Sequence, residues 1–166
     1  MCLLIIATFL VQNSLFSSVL GLKIIPNITV ILVSAFGFMR DEKEGLLIGF
    51  ICGLLYDIFF MDFWGLYAMI FMYIGFLNGL FSRIFYPEDI KLPMGLICLS
   101  DITYGLVVYI VRFLVRGRFD ISFYFTRIIL PEMLFTIMLS IIIYPILLFI
   151  NQKLEGRELR SVQKFV

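Results

Sequence analysis

Long apolar stretches, separated by short charged or proline-bearing breaks, make up this chain. Residues 1–22 carry no charge and predict a first helix. Residues 23–27 predict a short turn, in which Pro26 fixes the backbone and Asn27 is placed to cap the next helix. A second helix follows over residues 28–39. It is short against the about 20 residues of a bilayer crossing, which suggests a tilted, partly re-entrant or headgroup-rooted segment. Arg40, Asp41, Glu42, Lys43 and Glu44 predict a charged loop. A third helix is expected over 45–61, a tight turn at 62–65, and a fourth helix within 63–82. The fifth is expected over 92–115, with Asp101 near its middle and Arg112 towards its far end. The last span reads as two pieces, 121–130 with Arg127 and the uncharged 133–152, broken at Pro131-Glu132. Residues 153–166 predict a polar tail on the membrane surface.

Within the third helix the glycines stand in register. Gly45, Gly49 and Gly53 recur every fourth residue, and Asp57 takes the next place. Each step of four drifts only about 40° around an α-helix, so these residues share one face. Three missing side chains make that face a groove where another helix can approach closely. Gly75 and Gly79 repeat the spacing in the fourth helix.

Composition settles the class. Hydrophobic residues are 62% of the 166-residue chain and charged residues 15%, the balance of an integral membrane protein. The length suits one domain: a transmembrane unit over 1–152 and a cytoplasmic polar tail over 153–166. Six spans put both ends on one side of the membrane. With the ends inside, eight of the 13 basic residues fall on the cytoplasmic side and five outside, the bias of the positive-inside rule. The first segment has no basic residue ahead of its apolar run and no small-residue cleavage site, so it reads as a retained helix.

Few residues are available for chemistry. There is no histidine, and Cys2, Cys52 and Cys98 are far apart without metal-site spacing. No metal, cofactor or nucleic acid is implied. Asp57, Asp101 and Glu132 are acids within predicted spans, where ionisable groups are costly and usually paired or functional. Asp57 matches Arg112 and Arg127 in predicted depth, so an ion pair with one of them is expected. Tyr56-Asp57 with Asp101 raises an intramembrane aspartyl protease, but Cys98-Leu99-Ser100 stands where the Gly-x-Gly of such enzymes would precede Asp101. No nucleophile or phosphate-loop motif is present.

The order of elements from Pro26 to Gly65 resembles the MreD family of rod-shape-determining membrane proteins. Pro26-Asn27 opens the second helix, Gly45, Gly49, Gly53 and Asp57 follow, and Trp64-Gly65 stands where the family has Leu-Gly. Asp101 and Pro131 also sit where many members carry an acid and a proline. The resemblance implies a six-transmembrane-helix bundle similar to the S-components of energy-coupling-factor (ECF) vitamin transporters. It further implies a non-enzymatic scaffold of the bacterial inner membrane. Such a scaffold binds the bitopic protein MreC and connects with MreB, RodA and a class B penicillin-binding protein to support peptidoglycan synthesis. On that resemblance Pro26, Asn27, Gly45, Gly49, Gly53, Asp57, Gly65, Asp101, Arg112, Arg127, Pro131 and Glu132 are the candidate partner-binding or structural residues. The fold likeness also raises an alternative, a substrate-binding subunit of an ECF-type vitamin transporter. Against it, Ala7 is followed four places later by Val11, where S-components often repeat the alanine.

Overall fold

A computed structural model describes residues 2–18, 26–60, 65–84, 91–116 and 125–163. Among these residues all regular structure is helical. The α-helices are α1 (Cys2–Ser18), α2 (Ile28–Met39), α3 (Glu42–Phe60), α4 (Leu66–Leu80), α5 (Lys91–Arg116) and α6 (Leu130–Gln163). A 3-10 turn, Ser82–Ile84, follows α4, and a π-helical turn, Phe125–Ile129, leads into α6.

α2 is the centre of the molecule. Every residue from Ile28 to Met39 is buried, and the other five α-helices all pack against it. Its sequence anticipates this, because ITVILVSAFGFM is apolar on every side and such a helix needs neighbours all round. Twelve residues rise only about 18 Å, well short of the about 30 Å hydrocarbon core, so its ends are satisfied by protein. At the N-terminus the side chain of Asn27 accepts the Val30 N–H at 3.3 Å, the cap that its place after Pro26 predicts. At the C-terminus Arg40, its side chain 7% exposed, donates from Nε to Asn151 of α6 at 2.8 Å and pairs with Glu44 at 2.6 Å.

The charged stretch after α2 is a loop only at Arg40 and Asp41. α3 already begins at Glu42, the Asp41 side chain accepts the Glu42 N–H at 2.9 Å, and the Gly45 N–H bonds to the Asp41 carbonyl at 2.8 Å. Glu42 and Glu44 lie in the first turn, where acidic side chains suit the positive end of the helix dipole. Charge therefore marks the start of this helix. The expected break at Pro131 is also corrected. Pro131 is the second residue of α6 and follows directly on the π-helical turn Phe125–Ile129, so the helical backbone runs through it without a break. The proline inside α6 is Pro145, and the helix continues through it. α6 continues to Gln163, across the 152/153 boundary, without an end. Residues 19–25, residues 62–64 of the turn expected at 62–65, and 121–124 lie outside the described residues.

The bundle turns apolar side chains outward. Leu47, Phe50 and Ile58 of α3, Leu99 of α5, and Ile142 and Phe149 of α6 are all exposed. A protein surrounded by water would bury such faces; one surrounded by lipid has no reason to. Lys91–Val111 and Thr126–Leu154 are long and apolar enough to cross a membrane, whereas Ile28–Met39 and Leu66–Leu80 are shorter apolar helices.

Candidate functional site

The glycine face of α3 packs directly on the backbone of α4. A Cβ built on Gly49 would strike the carbonyl of Phe71, and one on Gly53 the backbone of Tyr67 and Ala68. Gly45 and Gly75 face each other so closely that a Cβ on either would hit the other's backbone. Gly37 of α2 enters the same junction, where an added Cβ would lie 2.6 Å from the Gly75 carbonyl oxygen. Gly79 closes the seam against Glu42. The two four-residue repeats of the sequence are thus the two halves of one contact.

Asp57 completes this seam in a way the expected ion pair does not describe. Its carboxylate accepts the backbone N–H of Tyr67 at 3.1 Å and of Ala68 at 2.9 Å. These are the second and third residues of α4, whose first N–H groups have no partner inside their own helix. An N-cap side chain normally serves them, but the N-cap of α4 is Gly65, with φ +88° and no side chain to offer. Asp57 reaches across from α3 and supplies the cap. Its negative charge also faces the positive end of the α4 dipole. That is the correction to the predicted arginine partner: two backbone N–H groups hold Asp57. Arg127 lies exposed on the π-helical turn, and the side chain of Arg112 is outside the described residues. Gly65 has no atom within 4 Å of an added Cβ, so the left-handed backbone, not space, selects glycine there.

A second cluster joins α2, α5 and α6. The Asn27 N–H donates to the Thr136 hydroxyl oxygen at 3.1 Å, and that hydroxyl donates to the Glu132 carbonyl at 2.9 Å. Asp101, 4% exposed, lies beside Thr136, and its Oδ1 has no hydrogen-bond partner among the described residues. The fold therefore gathers Asn27, Asp101 and the Pro131-Glu132 turn at one junction. Asp57 belongs to the α3–α4 seam, with both oxygens on N–H groups of α4, whereas Asp101 belongs to this second junction.

Sequence reasoning, directed at charges, passed over several buried polar residues. Gln12 of α1 accepts the Thr29 N–H and hydroxyl, each at 2.9 Å, and Thr29 in turn meets the Tyr56 hydroxyl at 3.1 Å. Gln12 opens the polar run Gln12-Asn13-Ser14 in a helix whose first half is otherwise largely apolar, and that change of character was the readable signal. Asn78 of α4 donates to the Ile74 carbonyl and to Ser100 of α5, both at 2.8 Å. Aromatic rings close around the Asp57 cap: Tyr67 lies 5.9 Å from Tyr56, and Phe71 stacks on Tyr104 at 5.3 Å. Among the described residues no group of three His, Cys, Asp or Glu is placed to hold a metal ion.

The outward apolar faces, together with buried polar groups that tie helix to helix, define an integral membrane protein built on close helix packing. The family model described as rod shape-determining protein MreD matches residues 1–154, and the chain belongs to that family. It is accordingly a rod-shape-determining membrane protein, part of the MreBCD system of cell shape. No curated protein and no solved structure matches the chain.

Proposed function

We propose that this protein is a non-enzymatic scaffold of the cell-elongation complex in the bacterial inner membrane. It crosses the bilayer six times with both termini in the cytoplasm, as a bundle of the S-component type, with 1–152 in the membrane and 153–166 as its cytoplasmic extension. It binds MreC and, with MreB, RodA and a class B penicillin-binding protein, supports peptidoglycan synthesis. The observation that carries this reading is the use made of Asp57. A buried carboxylate, the residue with most claim to chemistry, caps a neighbouring helix with both oxygens. Asn27, Thr29 and Arg40 are likewise engaged in bonds between helices. Polar groups so engaged suit a rigid body that presents surfaces to partners. No observation favours the vitamin-binding alternative.

Affinity purification from native membranes tests the reading. MreC and a cell-wall synthase are expected to co-purify with the full chain. Recovery of transporter ATPases without wall-synthesis proteins would overturn it.

A further inference from the structure

The two aspartates buried in the bundle are held in opposite ways. Asp57 takes two backbone N–H groups from the open start of α4. Asp101, also buried, hydrogen-bonds the Thr136 hydroxyl of α6, and its Oδ1 has no partner among the described residues. The start of α2 lies at the same junction, but its donors are spent. The Asn27 N–H goes to Thr136, that of Ile28 to the Pro26 carbonyl, that of Thr29 to Gln12, and that of Val30 to the Asn27 side chain.

No cation takes their place. α2 and α4 carry no charged residue. α6 brings Glu132, a second acid, to the junction, and on α5 the ionisable neighbour is the Cys98 thiol. Lys91 and Arg112 stand ten and eleven residues from Asp101 along α5, about 15 Å of helix rise. Arg127 is exposed on the π-helical turn.

The Thr136 hydroxyl then says where the proton is. It has one proton and two lone pairs. The proton goes to the Glu132 carbonyl, and the Asn27 N–H takes one lone pair. What is left for Asp101 is a lone pair, which a carboxylate oxygen repels and a carboxyl O–H fills. Turning the hydroxyl proton to Asp101 instead would give a carboxylate one donor and leave Oδ1 bare, in surroundings where an unpaired charge is most costly.

We propose that Asp101 is a proton-binding site inside the bundle: it is held as the neutral acid and donates its proton to Thr136, which closes the joint of α2, α5 and α6. The carbonyl oxygen of a neutral acid stands without a donor at far smaller cost than an anion. The folded protein thus binds a proton that the unfolded chain releases at neutral pH, so the joint is firmest at low pH and loosens as pH rises. The proposal goes beyond the scaffold reading and does not depend on it.

Infrared spectra of the full chain in lipid bilayers test it, because a carboxylic acid and a carboxylate absorb at separate frequencies. At neutral pH the wild type is expected to show an acid carbonyl band that Asp101→Asn removes and Asp57→Asn leaves in place. Loss of carboxylate absorption in Asp101→Asn, with the acid region unchanged, would overturn the proposal. The amide of Asp101→Asn offers Thr136 a donor and keeps an oxygen, so the variant should fold. Raising the pH should lower the unfolding midpoint of the wild type more than that of Asp101→Asn. Equal pH dependence of the two, or failure of Asp101→Asn to accumulate in membranes, would likewise overturn it.

Discussion

The carboxylate of Asp57 accepts the backbone N–H of Ala68 at 2.9 Å, 11 residues further along the chain and in the next helix. With the Tyr67 N–H it forms an N-cap supplied from outside the capped helix. Loss of a cap costs about 0.5–2 kcal/mol, and each donor left buried without a partner costs about 1–3 kcal/mol. Asp57→Leu removes both acceptors at once. Asp57→Asn keeps one oxygen and adds a donor that faces the same N–H groups, so it is expected to fall between the wild type and Asp57→Leu. Thermal unfolding of the purified variants in one detergent checks the order. Equal midpoints for Asp57→Leu and wild type would show that the cap contributes nothing.

The glycine seam makes opposite predictions for two glycine-to-alanine changes. Gly49→Ala drives a methyl group into the backbone of Phe71 and Met72, which cannot rotate aside. Overpacking of this kind costs about 1–3 kcal/mol. Gly95, in α5, has nothing within 4 Å of an added Cβ, and alanine there gains about 1 kcal/mol of helix preference. Gly49→Ala should lower membrane abundance and unfolding temperature, while Gly95→Ala should hold or raise both. Gly53→Leu should lose protein and partner together, since its face is covered by α4 and not presented to a partner.

Thr136 bridges α2 and α6 through one hydroxyl, which accepts from Asn27 and donates to Glu132. Thr136→Val keeps the shape and strands the Asn27 N–H in a buried site, at a cost of about 1–3 kcal/mol. Thr136→Ser retains the hydroxyl and should recover most of the loss. Unfolding midpoints of the two variants measure this, and equal destabilisation by Ser and Val would place the effect in the methyl group instead.

Reporter fusions after Glu44, Asp89 and Val166 examine the topology. All three are expected to read cytoplasmic, in line with the eight-to-five distribution of basic residues. A periplasmic signal at Val166 would remove the six-span arrangement.

Much of the architecture was legible in the chain. Ile28–Met39 is the second helix over the predicted residues, because Asn27 and the charge at Arg40 mark its two ends. The four-residue glycine spacing pointed to a close-packed face, and that face is the α3–α4 contact. Charge was the less reliable guide. Glu42 to Glu44 looked like a loop because helix starts and loops share the same polar residues. Pro131 looked like a break because sequence alone does not show that a π-helical turn ahead of it carries the backbone through.

What the sequence determined by itself is local: an apolar chain that must live in lipid, a run of helices, and a register of glycines along one of them. Hydropathy and spacing are properties of neighbouring residues, so they need no folded structure to be read. The tertiary structure alone decided that Asp57 serves the backbone of α4 and not an arginine, that α2 lies wholly inside, and that Asn78 lines a crevice with α5. The reason is that every residue but proline carries the same backbone N–H. No pattern of side chains marks which of those donors will be left open at a helix end, or which acid will come near enough to take it.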